Sequence, residues 1–415
     1  MKLLLSAFDC DPFAGSEAAI GWGWTYYNAL AGHEVWCITQ SKNQENLEKF
    51  CEEHPIPNLH FIYVEVDAQK RLHRIPTLGI YSFYLAWQKK AYQSAKTLSA
   101  EISWDLVHHV SYGSLQLGTY MWKLGIPLIF GPIGGGQFTP PIFKPYFYKE
   151  WWKEEFRKLS SFVLTRILSN SRKALSKAAF TAVTNEETYL LAQKLGAKRI
   201  GYFLDTGIKP EFFPDEEIQR IPSEPLKVLW VGRMLPRKGL LLAFEVFEKL
   251  DKNLSIKLTV LGGGDLERMR EEVRIRGLTD RISCPGRVPF SEVADYYRNH
   301  DVFFFPSLRD SFGSQLLEAM SYKLPILSLN LFGAKVFVPE DAGIKVEVIN
   351  RVQCVEDLEK ALVRFLEEPV FRLRAGEAGH AFALSQNWPD RIRRMQKIYA
   401  ELLEREKPLF DPVAK

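Results

Sequence analysis

With 415 residues, 46% hydrophobic and 25% charged, the chain is long enough for two domains and has the balance of a soluble globular protein, which excludes disordered and fibrous classes. The formal net charge of +4 comes from 54 Lys+Arg against 50 Asp+Glu, so any cationic surface must be local. The five cysteines, at 10, 37, 51, 284 and 354, are odd in number and form no CxxC pair; this argues against a disulfide framework or a zinc ribbon and suits a reducing cytoplasm.

The opening MKLLLSAFDCDP meets Asp9 and Asp11 too soon for a signal peptide or a spanning helix and reads as a first strand. Strands are expected over 3–8, 34–39, 59–64, 106–109, 127–130 and 179–183, with helices over 18–31 and 84–98 between them. The pattern then restarts. Strands are expected over 226–231, 256–261, 282–285, 302–305, 325–328 and 343–346, with helices over 239–250, 265–277, 291–299 and 314–322. Such βαβ spacing predicts two α/β domains, each with a mainly parallel sheet covered on both faces. Between them, DTGIKPEFFPDEEIQRIPSEP carries four prolines and a run of acids, the composition of an exposed connector. The expected organisation is a first domain over 1–205, a linker over 206–225, a second domain over 226–386, and a terminal helical segment over 387–415 that could return to the first domain.

In open parallel sheets, ligands bind where loops leave the carboxyl ends of the strands, and helix amino termini there favour phosphate. Three turns suit close backbone approach: Gly15-Ser16 before a helix starting near Glu17; VGRMLPRKG with Gly232, Arg233, Lys238 and Gly239; and LGGGD with Gly262, Gly263 and Gly264. A lone glycine after a strand is most often only a turn residue, and GSEAAIGWG does not fit the dinucleotide fingerprint, so an NAD enzyme is disfavoured. Arg233 and Lys238 beside one turn can neutralise a diphosphate; solvated surface cations are the alternative. In FFFPSLRDSFGSQLLEAM, a buried-type strand leads through Asp310-Ser311-Phe312-Gly313 into a helix carrying Glu318 about one turn in. Gly313 and the helix start can hold a phosphate while Asp310 and Glu318 accept hydrogen bonds from hydroxyls on either side, as a nucleotide sugar would supply. Ordinary helix capping competes with this reading, but a carboxylate among Leu316, Leu317, Ala319 and Met320 is costly without a partner.

The order VGR…RKG, LGGG, GRVPFSEVADYYRNHDVFFFPS and DSFGSQLLEAM resembles the carboxyl-terminal domain of the large retaining glycosyltransferase family 4, which has the GT-B fold: two Rossmann-like parallel-sheet domains facing each other across a cleft. The GSE loop, HHVSYGS, GPIGGGQ and the DTGIKPEFF linker extend the likeness over nearly the whole chain. The resemblance implies an enzyme that moves a sugar from a nucleotide-sugar donor to a saccharide or lipid-linked acceptor hydroxyl, with retention and without metal or cofactor, in polysaccharide, glycolipid or cell-envelope assembly. It implies that Arg233 and Lys238 bind the diphosphate and Glu318 the ribose. It further implies that Gly262, Gly263, Arg287, Val288, Ser311, Phe312, Gly313 and Leu317 contact the donor, and that Gly15 and Ser16 face the diphosphate. Asp310 stands where most members have a Glu contacting the donor sugar, and the single Gly333 in LNLFGAK where a glycine pair is usual. Members often carry His-x-His after the fourth strand; here the residues are His108, His109 and Val110, so either histidine is a catalytic candidate and a core residue in equal measure. An epimerase or phosphorylase of the same fold, or a nucleotide-sugar-binding subunit without activity, are the competing readings.

Charge is concentrated from Lys144 to Lys177, with nine Lys/Arg against three Glu, interleaved with Phe143, Tyr146, Phe147, Tyr148, Trp151, Trp152, Phe156 and Phe162. Such a segment suits the anionic inner face of a membrane, and equally a helix pair packed on its own domain. No nucleic-acid motif accompanies the charge.

Overall fold

In the computed structural model, residues 1–66, 76–167, 169–214, 216–221 and 224–406 are described. Residues 215, 222 and 223 of the expected linker and residues 407–415 of the terminal segment lie outside them. The chain divides into two compact units, one of Met1–Gly136, Leu159–Gly207 and Trp388–Lys415, the other of Gln137–Lys158 and Ile208–Asn387.

The first unit holds seven strands: β1 (Lys2–Ala7), β2 (Glu34–Gln40), β3 (Leu59–Val64), β4 (Leu106–Ser111), β5 (Leu128–Ile133), β6 (Phe180–Val183) and β7 (Ile200–Tyr202). All pairs are parallel, in the order β3-β2-β1-β4-β5-β6-β7. Because the sheet is covered on both faces, its strands are near-continuous apolar runs, which is why they were visible in the sequence. One face packs Leu4, Trp36, Val107 and Phe130 against the helix Pro76–Leu98 through Tyr84 and Trp87. The other packs Leu3, Leu5, Val35 and Ile129 against the helix Glu17–Leu30 and against Trp388, Ile392, Met395 and Tyr399 of the last helix, Trp388–Glu406.

The second unit holds β8 (Leu226–Val231), β9 (Ile256–Leu261), β10 (Ile282–Gly286), β11 (Val302–Phe305), β12 (Ile326–Leu329) and β13 (Gly343–Val346), parallel in the order β10-β9-β8-β11-β12-β13. Connections step outward from β8 in one direction and then resume at β11 in the other, so the strand order reverses between these two central strands. That reversal opens a crevice at their carboxyl ends. The segment Gln137–Lys158, which the sequence reading put in the first half, groups here because Phe143, Tyr146 and Phe147 enter the same apolar cluster as Trp230, Leu240 and Phe244. The connector beyond Gly207 is likewise tied down: Ile208 is buried and pairs with Asn387, and the Arg220 guanidinium donates to the carbonyls of Tyr297, His300 and Tyr322.

Gly23 allows the last helix to seat on the first unit. A Cβ there would stand 2.1 Å from Cζ2 of the buried Trp388. Gly23→Ala is expected to destabilise the protein by about 1–3 kcal/mol through overpacking. Denaturant unfolding checks this, and unchanged stability would mean that the indole is free to shift.

Candidate functional site

The loops leaving β8 and β11 meet side by side at the crevice end of the second unit's sheet. After β8 the chain makes a short turn, Pro236–Lys238, and enters the helix Leu240–Lys249 through Gly239. Gly239 has φ 73°, and a Cβ on it would lie 1.9 Å from the Pro306 carbonyl oxygen, so only glycine lets the turn touch the loop after β11. Backbone bonds then zip the two together. The Arg237 carbonyl accepts from the amides of Leu308 (2.8 Å) and Arg309 (3.3 Å), and the Arg237 guanidinium donates to the Arg309 carbonyl at 3.1 Å.

This close fit brings Lys238 into direct contact with Asp310: Nζ forms an ion pair with Oδ2. Arg237 Nη1 lies 3.6 Å from the same oxygen and the Ser307 hydroxyl donates to it at 3.4 Å. Lys238 is almost buried and its ammonium stands 5.7 Å from the centre of the Phe305 ring. Burial pushes the Asp310 carboxyl up, but Lys238, Arg237 and Arg309 together hold it below the usual carboxylate range. Burial likewise pulls the Lys238 ammonium down, against the attraction of Asp310. Arg233, on the exposed part of the same loop, adds to the positive field that acts on both Arg237 and Lys238.

The neighbouring turn after β9 joins this rim. Gly262 has φ 136° and would place a Cβ 1.7 Å from the Gly232 carbonyl oxygen, so the two loops touch backbone to backbone. A Cβ on Gly263 would sit 4.0 Å from Arg287 Cδ, placing the exposed Arg287 alongside, with the half-buried Val288 next to it. Gly313, at φ 106°, starts the helix Ser314–Ser321 with no side chain capping its end. Glu318, one turn inside, is half-buried. Tyr297 donates its hydroxyl to Oε2 at 2.9 Å, and burial raises the carboxyl despite this bond and one from Ser314. Tyr297 is the partner that a carboxylate among apolar neighbours requires.

Three of the expected site residues, Leu317, His108 and His109, lie buried. Leu317 was expected among the donor contacts, but it lies on the inward face of its helix with Leu316 and Met320 and is fully buried. His108 and His109 were catalytic candidates; both are fully buried, because β4 continues to Ser111 rather than stopping at His109 and so keeps them within the sheet. His108 has Nδ1 on the Tyr399 hydroxyl (2.7 Å) and Nε2 on the Gly131 carbonyl (2.6 Å). His109 has Nδ1 on Ser6 (2.9 Å) and Nε2 on Tyr84 (3.0 Å). Burial lowers both to about 3, so they are neutral core residues with both ring nitrogens occupied.

The sequence reading missed several contributors. Arg237 adjoins Lys238 and was legible as part of the same basic turn. Glu154 clamps Arg309 with bonds of 2.9 and 3.0 Å and accepts from Thr139 at 2.8 Å, while Gln137 donates to the Ser311 hydroxyl at 3.0 Å. These partners are separated from the loop by more than 150 residues, and no local pattern signals them. In the first unit, Ser16 holds φ 58° at the head of the helix Glu17–Leu30, beside the exposed Gly15. Burial, then Asp205 and Asp9, push the Glu17 carboxyl up to about 7. Phe332, beside Gly333, holds φ 53°, a left-handed conformation that a bulky residue rarely adopts.

Residues 212–382 match the family model of the group 1 glycosyl transferases. The curated relatives agree. The phosphatidylinositol N-acetylglucosaminyltransferase GPI3 subunit of Saccharomyces cerevisiae is 21% identical over 60% of this chain and 55% of its own length. The capsular polysaccharide biosynthesis glycosyltransferase CapM of Staphylococcus aureus is 25% identical over 49% and 54%. The chain thus spans about half the length of the curated relatives it matches. Solved structures extend the likeness to nearly all of the chain. Sucrose-phosphate synthase from Thermosynechococcus elongatus superposes with a TM-score of 0.68 at 19% identity, over 98% of this chain and 100% of that one. HepE of Anabaena in complex with UDP and glucose gives 0.60 at 12%, over 97% and 100%. WaaG, a glycosyltransferase involved in lipopolysaccharide biosynthesis, gives 0.61 at 15%, over 96% and 99%. The fold class is GT-B, with its two parallel-sheet α/β domains.

The ion pair sets a pH dependence. With its native pKa below its unfolded value, Asp310 contributes stability that is fully present above the unfolded carboxylate pKa of about 3.9 and is lost as pH falls through the native one. Asp310→Asn leaves Lys238 without its counter-charge. It is expected to cost about 3–5 kcal/mol at neutral pH, with the difference from the parent shrinking in acid. Unfolding curves across the acid range test this; a constant difference would contradict the pairing.

Proposed function

We propose that the protein is a retaining glycosyltransferase that moves a sugar from a nucleotide-sugar donor to an acceptor hydroxyl, in polysaccharide, glycolipid or cell-envelope assembly. The observation that carries this reading is the pairing of Arg237 and Lys238 with Asp310, with the exposed Arg233 adding its charge to both cations, at the strand-order reversal of the second unit and within the residues that match the group 1 glycosyl transferases. The structures of HepE with UDP, and with UDP and glucose, support a nucleotide-sugar donor.

In this reading Lys238 and Arg233 bind the donor diphosphate, and the uncapped start of the helix Ser314–Ser321 adds its partial positive charge through Gly313. As the sugar–phosphate bond breaks, negative charge grows on the departing diphosphate, and these groups stabilise it without reorganising. Asp310 orients Lys238 and accepts from a hydroxyl of the transferred sugar. Glu318, fixed by Tyr297, accepts from the ribose hydroxyls. Arg287 and Val288 flank the base, and Ser311 and Phe312 present their backbone to the distal phosphate and sugar. No side chain is assigned as nucleophile; the leaving phosphate oxygen takes the acceptor's proton, and the chain's own cations serve in place of a metal ion.

A second reading, a nucleotide-sugar-binding subunit without turnover, is favoured by the burial of both His108 and His109. Calorimetry and transfer assays over a panel of nucleotide sugars separate the two. Binding with turnover supports the transferase, binding alone the subunit, and no binding of any donor refutes both. Lys238→Ala and Glu318→Ala are each expected to weaken donor binding by about ten- to a hundredfold, the loss of a hydrogen bond to a charged group. Unchanged affinity in both variants, with folding intact, would remove these assignments.

A further inference from the structure

The helix Trp151–Ile167 turns an apolar stripe outward. Its inward face packs Leu164 against the apolar core and buries Ser161 and Thr165, Ser161 receiving a 2.8 Å bond from Gln116 and Thr165 donating back to the Ser161 carbonyl at 2.8 Å. Its outward face is apolar. Trp152, Phe156, Leu159, Val163 and Ile167 follow one another at four, three, four and four residues, the spacing of a single helical stripe, and are exposed at 63, 42, 60, 38 and 73%. Phe162, exposed at 52%, widens the stripe. A helix that merely closed a domain would turn a polar face to solvent. Exposed apolar side chains in a contiguous row mark an interaction surface.

Cations border the stripe. Lys149, Lys153, Lys158 and Arg166 are exposed, and the Arg166 guanidinium lies 3.9 Å from the centre of the Phe162 ring, so charge and ring are presented together. Exposed Arg172, Lys173 and Lys177 continue this charge along the following helix, Ser169–Lys177. No helix among the described residues is long and apolar enough to cross a membrane.

We propose that this face docks on the surface of an anionic lipid bilayer, with the aromatic and aliphatic stripe entering the headgroup region and the bordering Lys and Arg side chains meeting lipid phosphates. A second copy of the chain is a poorer occupant. A two-fold interface would lay the same patch on itself and press its cations against one another. The surface is read from the helix alone and does not rest on the donor assignment.

The test is flotation of the full chain with vesicles of phosphatidylcholine, or of phosphatidylcholine mixed with phosphatidylglycerol, at low and high salt. The expected result is binding to the anionic vesicles only, weakened by salt. Lys158→Gln with Arg166→Gln should lower vesicle affinity by about fivefold for each cation removed. Leu159→Ser with Ile167→Ser should lower it as well, with unfolding temperature unchanged because these side chains are exposed. Three results would overturn the proposal: no binding to anionic vesicles, equal binding to both compositions, or an apolar variant that binds like the parent. A concentration-dependent dimer that Leu159→Ser with Ile167→Ser dissociates, without vesicle binding, would assign the face to a second copy instead.

Discussion

A nearly buried ion pair, Lys238 with Asp310, fixes the geometry of the second unit's crevice. Taking two charges out of water is costly, and the cost is recovered only where geometry and further bonds are good. The fold supplies both. The pair bridges the loops after β8 and β11, the two central strands between which the strand order reverses. Gly239 lets those loops touch, the Arg237 carbonyl collects three donors from the facing loop, and Ser307 and Arg237 share the Asp310 carboxylate. Removing any one of these contacts leaves the others holding charge in a less satisfied setting, so the loops behave as one assembly.

Much of this was legible in the sequence because its causes are local. Strands buried on both faces read as apolar runs, and β3, β8, β9, β11 and β13 were placed to the residue. The basic turn before Gly239 and the acid-bearing helix start after β11 are also short-range patterns. What stayed illegible depends on contacts across long stretches of chain. The aromatic residues Phe143, Tyr146 and Phe147 are equally consistent with either core until tertiary packing selects one. The clamp of Glu154 on Arg309 and the bond of Tyr297 to Glu318 have no signature, since a glutamate on an exposed-looking helix and a tyrosine in an amphipathic one are both ordinary.

The histidines show the same limit from the other side. Strand alternation put His108 and His109 on opposite faces, and so they are: one reaches Tyr399 of the last helix, the other Tyr84 of the helix Pro76–Leu98. Alternation gives direction but not depth along the strand. Two more residues of β4, Val110 and Ser111, place the histidines inside the sheet, where ionising an imidazole would strand a charge in apolar surroundings. Glu17 is the converse case. It looks like an ordinary acid in the first turn of a helix, which its dipole would favour. Burial together with Asp205 and Asp9 outweighs that preference, and only the folded chain puts those groups near it.

One turn of the helix Trp151–Ile167 links the crevice to the protein's exterior. Glu154 holds Arg309, the residue preceding Asp310, with two charge-assisted bonds in a nearly buried setting. Trp152 and Phe156, two residues to either side of it, project outward. Arg309 adds to the field that keeps the Asp310 carboxyl below its usual range, and Gln137 of the same segment bonds to Ser311. The segment that sequence order assigns to one half therefore contributes directly to the electrostatics of the loop in the other. A change in how this helix is seated would reach Asp310 through a single intervening residue.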